Sequence, residues 1–221
     1  QIEFVRSGAN TQAGDYAINV SQLATRGSLG YDLSAAGDIT VGADTALTFQ
    51  VDGETNATIT LTEGTYTAEA LREELQSQLN NNASLNASGR SVQVNLDGTG
   101  NLTFSSGRYG SESNVSLTSS DLAELATKTG QPGTDVQGTI NGQAAQGDGQ
   151  VLYLGSDVSG GAAGLQVRVT GGEIGTRGSV KFIEGVSERV VNTITDILGA
   201  NAALDSRTSS LNRELERIQE E

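Results

Sequence analysis

A chain of 221 residues with neither histidine nor cysteine has few routes to covalent or metal chemistry. Thiolate nucleophiles, disulfide frameworks and Cys/His zinc sites are all excluded. Among the residue types that remain, Ser179 and Lys181 stand two apart. On a strand that spacing places both on one face, where a lysine could serve as base for a serine, although Ser-Val-Lys equally reads as a strand's solvent side. Asp148 between Gly147 and Gly149, and Asp97 ahead of Gly98-Thr99-Gly100, put carboxylates in turns where a hard cation could find oxygen ligands. Neither belongs to the spaced acidic series of a calcium loop, and turn formation accounts for Asp-Gly by itself. Glu69, Glu73 and Glu74 could pair for acid–base work, but a charged helix face is the plainer reading. No Gly-x-Ser-x-Gly elbow, phosphate-binding loop or dinucleotide glycine fingerprint occurs. The expectation is therefore a protein with no catalytic residue, no cofactor and no metal. Six Asn-x-Ser/Thr triplets, at Asn19, Asn56, Asn82, Asn86, Asn101 and Asn114, follow from a composition rich in all three residue types.

Composition narrows the partners. The formal charge of −14 and pI near 4.3, with Lys128 and Lys181 as the two lysines, argue against nucleic acid or an anionic membrane. No apolar run reaches the length of a membrane span. Methionine is absent, so Gln1 is not the encoded start; the chain reads as a fragment or processed form, with sequence missing before Gln1 and after Glu221.

The elements that would position any site are mostly strands. Twenty-nine glycines, one proline and 4% aromatics suggest many short strands joined by turns. Alternating apolar residues predict strands over 2–5, 16–20, 29–33, 47–51, 57–61, 92–96, 102–104, 136–140, 151–154, 165–169 and 180–183. Asp52-Gly53 is a hairpin signal, whereas Asp97-Gly98 needs a longer loop. Two helices interrupt the series. Thr67 can cap one over 68–79, with Leu71, Leu75 and Leu79 on a single face and Glu69, Glu73 and Glu74 in the early turns, ending at Asn80-Asn81-Asn82. A shorter one is expected over 121–128, capped by Ser119 or Ser120, with Leu122, Leu125 and Ala126 as its buried side. Gly130-Gln131-Pro132-Gly133 breaks regular structure and marks a boundary. The fold class expected is mainly β with α: a discontinuous antiparallel β domain (residues 1–38 and 132–185) with an inserted α+β head domain (39–131).

From Val190 the period changes from two to seven. Val190, Ile197, Leu204, Leu211 and Ile218 fall seven apart, with Ile194 and Leu215 between, giving the seam of a helical leg over 186–221 that requires a partner helix. Gly199 reads as a break within it. These seven residues are the expected packing and assembly positions.

Several segments, in order, resemble one family. Gly14-Asp15-Tyr16-Ala17-Ile18-Asn19-Val20-Ser21-Gln22-Leu23-Ala24 is similar to the segment after the N-terminal helical part of the bacterial flagellar filament-capping family, FliD or hook-associated protein 2. Gly64-Thr65-Tyr66-Thr67-Ala68-Glu69-Ala70-Leu71 resembles its flagellin-type motif. The stretches from Gly133 to Gly142 and from Gly164 to Gly172 resemble the opening of its C-terminal region. Gly185-Val186-Ser187, then Ser206-Arg207-Thr208 and Leu211, resemble its leg. The resemblance implies a non-enzymatic subunit, exported through the flagellar channel, that self-associates into a ring at the distal filament tip and guides flagellin into place beside hook–filament junction proteins. Flagellin itself, a junction protein, or an extracellular adhesin or carbohydrate-binding module are the alternatives; the last would be expected to expose aromatics in a groove.

Overall fold

The structure, a computed structural model, describes residues 1–53 and 55–183. The seven leg positions, Val190, Ile194, Ile197, Leu204, Leu211, Leu215 and Ile218, lie outside the described residues. The first strands are β1 (Ile2–Arg6), β2 (Gly14–Gln22), β3 (Ser28–Asp32), β4 (Ile39–Val41), β5 (Ala46–Val51), β6 (Thr55–Thr60) and β7 (Gly64–Tyr66). Two helices follow, α1 (Ala68–Asn80) and α2 (Ala83–Ser88), then β8 (Val92–Leu96), β9 (Asn101–Ser106) and β10 (Val115–Ser120). The series closes with β11 (Gln137–Ile140), β12 (Gln143–Asp148), β13 (Val151–Tyr153), β14 (Gln166–Val169) and β15 (Gly175–Phe182). Among the described residues, Gln1–Thr11 and Tyr16–Val180 belong to one compact unit.

Strands from the two ends of the described sequence meet in one sheet of order β1-β14-β13-β12-β11-β2-β15. From β1 through β2 in this order each neighbouring pair is antiparallel, with bulges between Phe4 and Arg6 and between Gln137 and Gly138. The period-two pattern of β2 buries Tyr16, Ile18 and Val20 and exposes the residues between them. Val136, Ile140, Leu152, Leu165, Val167 and Val169 are buried too.

The intervening sequence makes two three-stranded sheets, β10-β5-β6 and β3-β9-β8, and the pair β4-β7. One cluster of buried side chains joins them, running from Leu29 to Leu125 and centred on Phe49 and Phe104, whose rings lie 5.0 Å apart. Helix α1 completes it. Leu71, Leu75 and Leu79 recur every fourth residue and are buried, and the Thr67 hydroxyl accepts from the Ala70 N–H at the helix start, so face and cap form as expected. Gln76 on the same helix finishes the edge of β8: its Nε2 donates to the Val92 carbonyl at 3.0 Å and its Oε1 accepts from the Val94 N–H at 2.7 Å. A strand edge is thereby closed by a side chain instead of another strand.

The Asp52-Gly53 hairpin is present, with φ of 51° and 75° and β5 paired to β6. Other expectations require correction. Asn82 does not merely end α1; its Oδ1 accepts from Ser84 N and Leu85 N and caps α2, which closes at Gly89 with φ 64° and buries Leu85. Residues 121–128 are not a helix. Leu117 and Lys128 exchange two backbone hydrogen bonds of 2.9 Å, which hold the segment's end against β10. Leu122 and Leu125 reach the core from a single turn in which Leu125 N donates to the Leu122 carbonyl at 3.2 Å.

Candidate functional site

Of the carboxylates singled out from the sequence, Asp97, Glu69, Glu73 and Glu74 are engaged by neighbouring side chains or backbone. Asp97 Oδ1 accepts from the Thr99 hydroxyl at 2.7 Å, the Thr99 N–H at 2.9 Å and the Asn101 N–H at 3.0 Å, while Oδ2 accepts from Asn101 Nδ2. The Thr99 hydroxyl above all, with Asn101, holds this carboxyl well below the ordinary carboxylate range. It builds the β8–β9 loop. Glu74 accepts from Gln78, and its Oε1 also takes the Thr62 N–H and hydroxyl, binding the helix to the β6–β7 connection; the Gln78 bond leads the causes that lower its pKa. Glu69 and Glu73 both pair with Arg72 on the exposed helix face. Ser179, Lys181 and Asp148 are exposed. Among the described residues no group of three acidic side chains could hold a metal ion, and no helix is long and apolar enough to cross a membrane.

Two constellations have no apolar periodicity to announce them. The first is Asp52. The sequence marks it as a turn residue, yet its side chain is only 1% exposed. Oδ1 accepts from the Ser106 hydroxyl at 2.8 Å and the Asn114 N–H at 3.1 Å, and Oδ2 lies 3.5 Å from Arg90 Nε. One carboxylate thus ties the β5–β6 hairpin to β9 and to the segment entering β10. Removing it would leave the Arg90 charge largely desolvated, which is the costly way to break a buried pair.

The second is the neck formed by residues 23–27 and 130–136, the two passages between the seven-stranded sheet and the Leu29–Leu125 cluster. Thr25 N donates to the Thr134 carbonyl at 2.9 Å, and the two hydroxyls lie 2.9 Å apart. Ser28 and Gln131 exchange bonds of 2.9 and 2.7 Å. The loop 107–114 joins both passages, through Gly110 N to the Thr25 carbonyl and Gly133 N to the Ser113 carbonyl, each 2.9 Å. Glycine is needed for this approach. A Cβ on Gly27 would stand 2.1 Å from the Ser113 carbonyl oxygen, and one on Gly130 1.9 Å from that of Val115. Arg26, leaving the first passage, stacks over the Tyr109 ring at 4.7 Å and donates to Gln93 Oε1 at 2.6 Å.

With this geometry in place, the arrangement has counterparts among solved structures. No family model and no curated protein matches the chain. A crystal structure of the D1-D2-D3 domains of the flagellar cap protein FliD from Escherichia coli is similar over 94% of this chain and 70% of that one, at 18% identity and a TM-score of 0.50. The D2-D3 domains of the cap protein from Serratia marcescens, in space group P432, are similar over 83% of this chain and 98% of that one, at 19% identity and a TM-score of 0.50. The class is therefore settled by fold: a mainly β protein with few helices and antiparallel sheets, built as flagellar cap domains are built.

Proposed function

We propose that this chain is the head portion of a flagellar filament-capping subunit. The observation that carries the reading is the match of fold over nearly the whole chain to FliD domains, together with family-like segments that run in the same order along the sequence. In this reading the protein is a structural, non-enzymatic subunit. It is exported through the flagellar channel, self-associates into a ring at the distal filament tip, and promotes flagellin polymerisation beyond the junction proteins. The domain organisation that goes with it is a β domain of residues 1–38 and 132–185, an inserted head domain of 39–131 to which β3 adds its strand beside β9, and a leg over 186–221. Leg packing falls to Val190, Ile194, Ile197, Leu204, Leu211, Leu215 and Ile218, because an apolar heptad seam is stable only against another helix. Against an adhesin with an aromatic groove stands the placement of the rings: Tyr16, Phe49 and Phe104 are buried, and among the described aromatic residues Phe4 alone is exposed.

The test is complementation of a strain lacking its cap gene. The full-length parent should restore filaments, whereas a version deleted from Val190 onward should release unpolymerised flagellin into the medium. Filaments that form equally well without the parent would overturn the proposal. Charged residues in place of Leu211 and Leu215 should act like the deletion.

A further inference from the structure

Around Asp135 three segments that are remote in sequence converge on one oxygen atom. The loop 107–114 connects β9 to β10 on the cluster side, and the turn 148–150 connects β12 to β13 in the seven-stranded sheet. Asp135 lies between them on the second passage of the neck. Its Oδ1 accepts from the Ser111 N–H at 3.0 Å, 24 residues away, and from the Gly149 N–H at 2.8 Å, 14 residues away. Its backbone is held as well, the carbonyl accepting from Gln22 Nε2 at 3.2 Å while the adjoining Val136 N–H donates to the Gly149 carbonyl at 2.9 Å.

The space around the carboxylate is made by glycine. A Cβ on Gly110, where φ is 108°, would stand 2.5 Å from Asp135 Oδ1 and 2.8 Å from Gly149 Cα. A Cβ on Gly149, where φ is 54°, would stand 2.9 Å from the Tyr109 carbonyl oxygen. Loop and turn therefore approach backbone to backbone, yet no hydrogen bond runs directly between them among the described residues. Asp135 supplies the acceptor that both amides need, since an amide left unpaired at so close an approach is costly. Of the other ties of the neck, the Val136 N–H to Gly149 carbonyl bond joins the second passage to the turn and the rest join the two passages to each other and to the loop; none runs from the loop itself to the 148–150 turn.

We infer that Asp135 is a positioning residue, the clip that couples the 107–114 loop to the 148–150 turn and so fixes the orientation of the α1-containing part of the chain on the seven-stranded sheet. The inference holds whether or not the chain caps a filament, because it concerns orientation within the chain and not what the chain binds.

A chain without cysteine suits the test, because introduced thiols can be labelled without competition. Glu73→Cys on α1 and Ala144→Cys on β12, both exposed positions, would carry spin labels in the 221-residue chain, and pulsed electron resonance would read their distance distribution. Asp135→Ala should broaden that distribution, and Asp135→Asn, which keeps an acceptor oxygen in place, should restore the parent's width. Amide exchange gives an independent readout. In the parent and in Asp135→Asn the Ser111 and Gly149 amides should exchange slowly; in Asp135→Ala both should accelerate together while β5 and β14 stay protected. A distribution as narrow in folded Asp135→Ala as in the parent would overturn the inference. So would Ser111 and Gly149 amides that already exchange in the parent at the rate of an open loop, a result that does not depend on the alanine variant folding.

Discussion

Between β3 and β10 the chain meets itself through side chains: leucine, isoleucine, valine and phenylalanine fill one cluster, Phe104 packs edge-on to Tyr31 at 6.2 Å and tilted to Phe49 at 5.0 Å, and α1 adds three leucines. The seven-stranded sheet also buries apolar residues, from Tyr16 to Val169, but there and in the neck the chain additionally meets itself backbone to backbone. A Cβ on Gly138 would stand 2.1 Å from the Asn19 carbonyl oxygen, one on Gly147 1.9 Å from that of Val136, and one on Gly164 2.7 Å from Gly8 Cα. The first region is stabilised by the apolar area it removes from water. The second depends on the absence of side chains at chosen points. Two halves of one antiparallel protein therefore fail differently when they are changed, one by losing volume and the other by gaining it.

Removing volume from the cluster should produce the largest loss. Phe104→Ala deletes a fully buried ring that touches two others, and a cost of about 3–5 kcal/mol in urea unfolding is expected. A loss below about 1 kcal/mol would show that the cluster is not the stability centre assigned to it here. Adding volume to the sheet comes next. Gly147→Ala forces a methyl group onto a backbone oxygen and should cost about 1–3 kcal/mol, with faster amide exchange concentrated in β11 and β12. Gly98→Ala, an exposed position with nothing near its Cβ, should leave stability within about 0.5 kcal/mol of the parent and so calibrates the comparison. Equal losses at the two glycines would break the contrast.

Thr67→Ala removes the acceptor that caps α1 and should cost about 1 kcal/mol, fraying the helix start without touching β11 to β14. The smallest effect is expected from acid. Asp97 and Asp135 both have folded pKa values below the ordinary range; at Asp135 burial opposes ionisation, but the bonds from Ser111 and Gly149 outweigh it. A depressed folded pKa gives stability that is fully present above the unfolded value, near pH 4, and is lost as pH falls through the folded one. Unfolding midpoints should therefore decline below about pH 4, and more shallowly in Asp97→Asn than in the parent. A steeper decline in that variant would contradict the hydrogen-bond account of the loop.

Some of this was legible in the residue order. Leu71, Leu75 and Leu79 behind Thr67 specify α1 because a cap and a stripe of period 3.6 are both local. Val92–Leu96 alternates cleanly and forms a strand with those bounds. Four strands had no such mark. β12, Gln143–Asp148, has no large apolar residue at all, and it pairs because β11 and β13 offer edges on both sides. β4 and β7 are three residues each, too short for a periodic signal, and β10, with Ser116, Ser119 and Ser120 among its six residues, buries Val115, Ser116 and Leu117 in a row instead of alternating. Leu122 and Leu125 have helical spacing, but the bridge from Leu117 to Lys128 offers the backbone better partners than a short helix would. The neck was marked in sequence only as the break at Gly130-Gln131-Pro132-Gly133, and its ties were not, for a related reason: Asp135 and Gly149 are ordinary turn residues until the fold puts Asp135 Oδ1 2.8 Å from the Gly149 nitrogen.

What the sequence determined by itself is therefore whatever has a repeat or a cap: the alternating strands, α1, the Asp52-Gly53 hairpin, and the absence of thiol and imidazole side chains. Only the tertiary structure decided which strands share a sheet, which turn carboxylates became buried ties, and where glycine is indispensable. The physical reason is the range of the interactions. Periodicity and capping act within a few residues, whereas the partners of Asp52 Oδ1 lie 54 and 62 residues away and those of Asp135 Oδ1 lie 24 and 14 away, distances in sequence across which only the folded chain brings donors to acceptors.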